Sequence, residues 1–553
     1  MSRILVLGGY GGFGARLSRR LAARGHTVLV AGRRRAAAEA FCASVPGTEP
    51  VVADRNGDLG PILAETQADL VIDAAGPFQG SGYGVPLACL SARIPYLDLA
   101  DGKDFVLGIG ALDAEAREAG VPVISGASSV PALSGAVVRR LADGMERVTR
   151  VEIAISASNR ATAGTSVASA ILAYAGRPVR VWRGGRWARA FGWQDLRRER
   201  IRLRGGPDLG PRWVALADVP DLALLPERVP GAPATMFRAG TEIALQTVGL
   251  WLASWPVRWG WLASLRPLAP WLLALQKLMR RLGSDRSGMT VALIGSTSGR
   301  PVLRRWTLVA QKGDGPEIPT LAAAILADRI AAGGIPPGAR DAGESLDLAE
   351  FEADFATLAI RHGVEETPLP PPVYARVLGE AFARLPASVR RMHEVVGDAG
   401  ATGRAEVKRG SNPLARLVAA LMRFPAEGEH QIHVHFEEND GVETWTRDFS
   451  GRLFRSHLSE RDGRLTERFG PFRFAFDLPT DESGLRMVMR GWSLFGIPLP
   501  PALAPRSEAS EVERDGRFHF DVPIALPLIG LVVHYRGWLV PTGDAETAAA
   551  ARG

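Results

Sequence analysis

Through the first 130 residues, short apolar runs alternate with amphipathic stretches. Ile4-Leu5-Val6-Leu7, Thr27–Ala31, Glu49–Asp54, Asp69–Ala75, Pro95–Ala100 and Val121–Ala127 are four to seven residues long. Runs of that length and composition read as buried strands. Gly12–Arg24, Gly84–Ala92 and Ala111–Gly120 carry helical periodicity between them. Crossovers of this length make the strands parallel, so a doubly wound sheet is predicted over 1–145. Its cleft lies at the turns after residues 7, 31, 54, 75, 100 and 127, the C-terminal strand ends.

Beyond residue 145 the pattern loosens. Arg150–Ser156, Met289–Ile294 and Leu303–Gln311 read as strands, Val179–Trp187 as a strand pair about Gly184-Gly185, and Thr165–Tyr174 as a helix. An open sheet over 146–312 is predicted, then a helical return over 313–362 beginning at Ile318. Gly363–Val373, with Pro368, Pro370, Pro371 and Pro372, reads as a linker. Over 374–545, helices at Tyr374–Leu385 and Leu414–Met422 precede nine alternating segments between Gln431 and Val540. That period of two, broken by Gly- and Asp-rich turns, predicts a mainly antiparallel β domain closing round an apolar pocket or groove.

The first turn carries the most specific chemistry. Gly9-x-Gly11-x-x-Gly14 follows a strand and opens a helix, the setting in which this spacing binds a dinucleotide. Gly9 allows the turn, Gly11 lets the backbone approach a pyrophosphate, and Gly14 lets the helix pack closely, with Gly8, Gly12 and Phe13 completing the cradle. The helix N-terminus supplies free N–H groups and the positive dipole end. After the second strand comes Gly32-Arg33-Arg34-Arg35, about where an acid would hold a ribose 2′-hydroxyl. A guanidinium there accepts a 2′-phosphate instead, so NADP (NADPH) is the expected cofactor, with Arg33 the main contact and Arg34 its helper. Asp54, ending the third strand, falls near the adenine.

Composition changes this picture little. A chain of 553 residues implies two or three domains, and 23% charged with 46% apolar residues is ordinary for a globular protein. The net charge of +7 comes from scattered arginines, with only Lys103, Lys277, Lys312 and Lys408 as lysines, so no nucleic-acid stripe is expected. Cys42 and Cys89 have no metal-ligand spacing, and no metal is expected. The seven histidines of the C-terminal module read as surface or sheet-packing residues, although His433 and His435 share a strand face. A first strand at residue 3 leaves no room for a signal peptide, which points to the cytoplasm. Residues 246–282 hold Trp251, Trp255, Trp259, Trp261 and Trp271, but their charge-free runs are too short to span a bilayer. Two readings stand: peripheral contact with the inner membrane face, its basic residues meeting anionic lipid, or a buried hairpin or homodimer contact.

An ordered set of runs extends the glycine turn: Gly8-Gly-Tyr-Gly-Gly-Phe-Gly14, Ala31-Gly-Arg33, Ala75-Gly-Pro-Phe78, Tyr96-Leu-Asp-Leu-Ala-Asp-Gly102 and Gly126-Ala-Ser-Ser-Val-Pro131. Over residues 1–360 the chain resembles the saccharopine dehydrogenase-like oxidoreductases. Residues 374–541 resemble a bacterial domain of unknown function found fused behind such halves, through runs such as Trp445-Thr-Arg-Asp-Phe449 and Tyr535-Arg-Gly-Trp538. The resemblance implies an NADP-binding Rossmann domain with an inserted α/β substrate domain. It places Ala75, Gly76 and Pro77 beside the nicotinamide ribose and Tyr96 to Lys103 along the substrate. The run Asp98-Leu-Ala-Asp101-Gly102-Lys103 departs from the Asp-x-Thr-Gly-Glu type of the amino-acid reductases. Hydride transfer to a C=C, C=N or C=O bond of a small, lipid-like molecule is the expected activity, with Tyr96, Asp101, Lys103 and Ser128 as candidate proton donors. A non-catalytic NADPH sensor or lipid binder is the second reading, because fold does not fix chemistry.

Overall fold

The apolar runs of the N-terminal region become six parallel strands: β1 (Arg3–Leu7), β2 (Thr27–Gly32), β3 (Thr48–Val52), β4 (Leu70–Asp73), β5 (Tyr96–Asp98) and β6 (Pro122–Ser125). The computed structural model describes residues 1–160 and 165–542. The sheet order is β6-β5-β4-β1-β2-β3, so the winding direction reverses between β1 and β4. A seventh parallel strand, Gly338–Asp341, joins β6 from far along the chain. This is a Rossmann fold with the predicted cleft.

The return to this sheet is made by helix Ile318–Ala331. Ala322, Ala323, Ala324 and Ala327 are fully buried, so small side chains let the helix sit enclosed rather than on a surface. It packs on α1 (Gly14–Ala23) beside a polar cluster. Arg24 Nη2 donates to both Asp354 carboxylate oxygens at 2.6 Å, its Nη1 bonds Asp328, and Arg20 reaches Glu317 at 3.2 Å. The fork geometry of arginine suits this double pairing and fixes the returning segment on α1.

The inserted unit is a seven-stranded sheet centred on Arg147–Ala157. Only its pairing with Ala234–Thr241 is parallel; the other neighbours run antiparallel. The expected linker needs correcting. Ile360–Pro368 is an edge strand of this sheet, paired with Arg300–Ala310, so residues 363–368 belong to the inserted unit. Proline suits this place because an edge strand need not donate on both sides.

The C-terminal module closes into a barrel. Ten strands, from Asp398–Arg409 to Gly530–Pro541, each pair antiparallel with the next, and the last pairs back onto the first. The nine predicted segments are all strands here; the tenth, Asp398–Arg409, was not predicted. Its glycines and alanines replace the large apolar alternation because neighbours press on it: a Cβ on Gly403 would lie 1.9 Å from the Trp538 carbonyl oxygen.

The barrel is docked on the inserted unit by buried polar contacts. Arg150 donates to Asn439 Oδ1 at 2.7 Å, to the Glu438 carbonyl at 2.8 Å and to the Gly397 carbonyl. The hairpin turn at Gly184 fits between His433 and Asp398: the Gly184 amide donates to Asp398 Oδ1 at 2.7 Å, and His433 Nε2–H donates to the Gly184 carbonyl at 2.8 Å. Burial, then Arg186, hold the His433 ring down at about 4, so it is neutral when it makes this bond. His435 bonds Asp398 at 2.6 Å. These histidines pack a sheet against a turn, and among the described residues no cluster of three or more His, Cys, Asp or Glu suits a metal.

Residues 246–282 form helices Ala244–Arg258 and Ala269–Met279. Trp251, Trp255, Trp259 and Trp261 contact one another in succession at 4.8–5.9 Å between ring centroids. Trp261 and Trp271 are 73% and 77% exposed. The segment thus packs through Thr247, Ser254 and Val257 while these two rings stay exposed, and no helix among the described residues is long and apolar enough to cross a membrane.

Candidate functional site

The turn from β1 into α1 is built on missing side chains. Gly8 has φ of 73° and Gly11 N–H donates to the Gly8 carbonyl at 2.8 Å. A Cβ on Gly14 would sit 2.1 Å from that same oxygen, so only glycine lets α1 start here. A Cβ on Gly11 would meet nothing else of the protein, which leaves its outer side open for a ligand. The first turn of α1 holds no acid, so no side chain competes for its N–H groups.

Around this cradle, Tyr10 lies over Gly32 and accepts a hydrogen bond from the Arg34 amide at 3.0 Å. The Arg34 guanidinium stacks over the Tyr10 ring at 5.8 Å, and Arg33 is exposed with no hydrogen bond or ion pair among the described residues. Asp54 is exposed and its carboxylate accepts from the Asn56 amide at 3.0 Å, capping its own turn. The turn after β4 abuts the cradle: a Cβ on Gly8 would lie 3.0 Å from the Ala75 Cβ. Ala75 thus borders the glycine turn at the switch point, and Gly76 and Pro77 follow it in the same turn.

Sequence reasoning missed Arg55. It donates to Asp73 Oδ2 from Nε at 3.0 Å and Nη2 at 2.6 Å, and to Ser81 Oγ at 3.3 Å, while stacking on Phe78 at 5.1 Å. Asp73 ends β4 with no exposure, and burial pushes its carboxyl upward against the pull of Arg55. The pair braces the floor of the cleft between the turns after β3 and β4. An arginine after a strand-ending acid carries no local signature; the pairing arises only when the sheet forms.

The four expected proton donors separate. Tyr96 is fully buried in the sheet core, its hydroxyl unpartnered among the described residues and, through burial and then Asp98, far less acidic than usual. It cannot touch a ligand in the cleft, which corrects the expectation for that residue. Asp98 is also fully buried: its Oδ1 accepts from the amides of Ala100 (2.9 Å) and Gly126 (2.7 Å) and from Ser125 Oγ (3.1 Å). Burial outweighs these bonds and raises its carboxyl to about 7. It ties the turn after β5 to the turn after β6, where Ser128 lies nearly buried.

Asp101 and Lys103 do meet other polar groups at the junction with the inserted unit. Asp101 Oδ1 accepts from Gln79 Nε2 at 3.1 Å, and Gln79 Oε1 is buried with no donor among the described residues. Lys103 Nζ donates to Asp218 Oδ1 at 2.6 Å across the junction. Burial raises the carboxyls of both Asp101 and Asp218. Tyr174, ending helix Thr165–Tyr174, joins them; burial, Asp101 and Asp218 raise its hydroxyl in that order. Tyr174 lies 71 positions beyond Lys103 on a helix with no motif, so its place here was not legible.

Two family models match separate parts of the chain. Residues 4–84 match the family model "NAD dependent epimerase/dehydratase family", and residues 385–539 match "Domain of unknown function (DUF4166)". No curated protein matches the chain. Among solved structures, it is similar to apo saccharopine dehydrogenase (L-Glu forming) from Saccharomyces cerevisiae, at 14% identity and a TM-score of 0.48, over 67% of this chain and 100% of that one. It is also similar to amine dehydrogenase from Mycobacterium smegmatis, at 11% identity and a TM-score of 0.33, over 61% and 94% of the two chains. A third is UDP-glucose-4-epimerase from Stenotrophomonas maltophila with bound NAD, at 22% identity and a TM-score of 0.15, over 18% and 36%.

Proposed function

We propose that this chain is an NADP-dependent oxidoreductase acting on a small, hydrophobic molecule at the junction of the Rossmann and inserted units. The observation that carries the reading is the glycine cradle at the start of α1, where a side chain at Gly14 is sterically forbidden and one at Gly11 would meet only the Gly8 carbonyl oxygen. The family model matched by residues 4–84 supports a nicotinamide dinucleotide. The backbone of Gly9 to Gly14 would hold its pyrophosphate, Arg33 and Arg34 its 2′-phosphate, and Ala75 to Pro77 its nicotinamide ribose. When bound, the reduced cofactor supplies a hydride.

The chain's own residues supply position and a proton. Lys103 Nζ donates to Asp218 at the edge of the cleft, and burial raises the Asp101 carboxyl and the Tyr174 hydroxyl beside it, so these three would be the proton carriers. Titration with both reduced cofactors tests the nucleotide reading: NADPH should bind at least about tenfold tighter than NADH, and Arg33→Glu should remove that preference. Equal affinities in the unaltered protein would overturn it. Loss of NADPH absorbance with fractionated cell lipids tests turnover; bound cofactor that no fraction oxidises would favour a sensor.

The tryptophan-rich helices bear on access. Arg258 stacks on Trp255 and Phe191 at 4.7 and 4.5 Å, and Trp193 Nε1 donates to the Thr247 carbonyl at 3.2 Å, which ties this exposed apolar surface to the inserted unit. The proposed reading has it touch an anionic membrane surface, from which the substrate comes. Co-sedimentation with phosphatidylglycerol vesicles should fall several-fold in a Trp261→Ala/Trp271→Ala protein. Unchanged sedimentation with a lost dimer would assign the surface to self-association.

A further inference from the structure

We propose that the interior of the C-terminal barrel is a second binding site, for an uncharged single-chain amphiphile such as a medium-chain alcohol or aldehyde, admitted past helix Pro413–Leu421. The barrel encloses a cavity of about 210 Å³. That is the room of about seven waters at ~30 Å³ each, and an apolar cavity of ~150 Å³ is already enough to take up benzene. Its wall is mostly apolar, and half of it is aromatic or thioether: Phe454, Phe469, Phe474, Phe520, Met487 and Met489 all face it. Water gains little there, whereas an apolar chain gains contact on every side.

One polar station interrupts the apolar wall. Arg447 reaches into the cavity between Trp445 and Phe454, its guanidinium 5.0 and 5.7 Å from their ring centres. It donates to Ser456 Oγ at 2.9 Å and lies 3.6 Å from Glu467, itself nearly buried and lining the same space. One hydroxyl and one carboxylate do not use the five N–H donors of a guanidinium. A ligand oxygen can accept from the remainder. Glu467 and Glu511 line the cavity against this single guanidinium, so a carboxylate ligand would be placed beside two acids. Glu511 is held by His393 Nε2 at 2.8 Å. An uncharged hydroxyl or carbonyl oxygen satisfies Arg447 without that repulsion.

The two ends of the barrel differ in the way such a ligand requires. One is stoppered by helices Val373–Leu378 and Ala387–His393, where Tyr374 stacks on the fully buried His393 at 3.6 Å. The other is covered by Pro413–Leu421, inserted between the first two strands. Val418 and Met422 turn toward the cavity while Leu414, Leu417 and Leu421 are exposed. Phe495 and Leu528, in strand-connecting turns at this same end, are 80% and 102% exposed. An apolar helix with an apolar rim marks the path by which a poorly soluble molecule leaves water.

The test uses the full chain and the uncharged fluorophore N-phenyl-1-naphthylamine. Saturable binding is expected, with 1-decanol displacing the probe at about tenfold lower concentration than decanoate. Ala509→Phe, which adds a ring inside the cavity, should abolish probe binding while far-ultraviolet circular dichroism is retained. Should that protein fail to fold, Arg447→Met/Glu467→Met removes the charge pair together; it should bind the probe as before but take decanol about tenfold more weakly. Absent probe binding, preference for decanoate, undiminished binding by a folded Ala509→Phe protein, or unchanged decanol affinity in the double variant would each overturn the proposal.

Discussion

Gly14→Ala is expected to abolish NADPH binding, with an affinity loss of at least about 100-fold, and to lower the melting temperature as well. The new Cβ would lie 2.1 Å from the Gly8 carbonyl oxygen and 2.8 Å from its carbon, both backbone atoms that no rotamer change can move. Either α1 moves away from β1 or the Gly8 turn opens. Both displace the N–H groups that would hold a pyrophosphate, and about 2.7 kcal/mol of lost binding corresponds to the 100-fold change. Gly11→Ala separates the two effects. Its Cβ meets only the Gly8 oxygen, at 3.0 Å, so the fold should tolerate it while the methyl group stands where the pyrophosphate would approach. Isothermal titration with NADPH, paired with a melting curve for each protein, reads both. Full affinity in a folded Gly11→Ala protein would show that the cradle holds no dinucleotide.

The second large effect concerns pH. The stability that Asp221 lends should be lost as pH rises from about 4 to about 7, and Asp221→Asn should remove about 2–4 kcal/mol of that pH dependence. Asp221 is fully buried where its helix meets the Rossmann unit; Ser134 Oγ donates to Oδ1 at 2.7 Å and Oδ2 has no partner among the described residues. Burial raises its carboxyl to about 7. The folded protein therefore holds a proton that the unfolded chain releases near the ordinary carboxylate value. Between those two values folding binds the proton, so raising pH withdraws the stabilisation; above about 7 an ionised carboxylate stays buried at full cost. Asp98, also raised to about 7, adds to the same trend. Urea unfolding followed across this pH range would show it. His433, held down at about 4, acts in the opposite direction, so an Asp221→Asn protein that keeps the wild-type pH dependence would contradict the assignment.

Much of the fold was legible because its signals are local. A strand running into a glycine turn and helix, and a period of two across nine segments, follow from steric and burial rules acting over a few residues. Where those rules were silent, expectation failed for identifiable reasons. Arg197–Arg202 is too charged to read as a strand, and Asp398–Arg409 too poor in large side chains. The proline-rich run after Ile360 looked like a linker because an edge strand tolerates proline. The site divided in the same way. The cradle was readable from glycine spacing, whereas Tyr96 sat in a suggestive loop run yet belongs to the core.

Chain order and residue chemistry were enough to specify a dinucleotide cradle, an arginine beside it and a β-rich module behind. Each is encoded within a dozen or so neighbouring positions, where backbone sterics and hydrophobic periodicity act directly. Which acids pair with Arg55 and Lys103, that Tyr174 joins Asp101 and Asp218, and that the last barrel strand closes on the first depend on folding bringing distant segments together. Burial then sets the protonation of those groups, and no stretch of sequence carries its own burial.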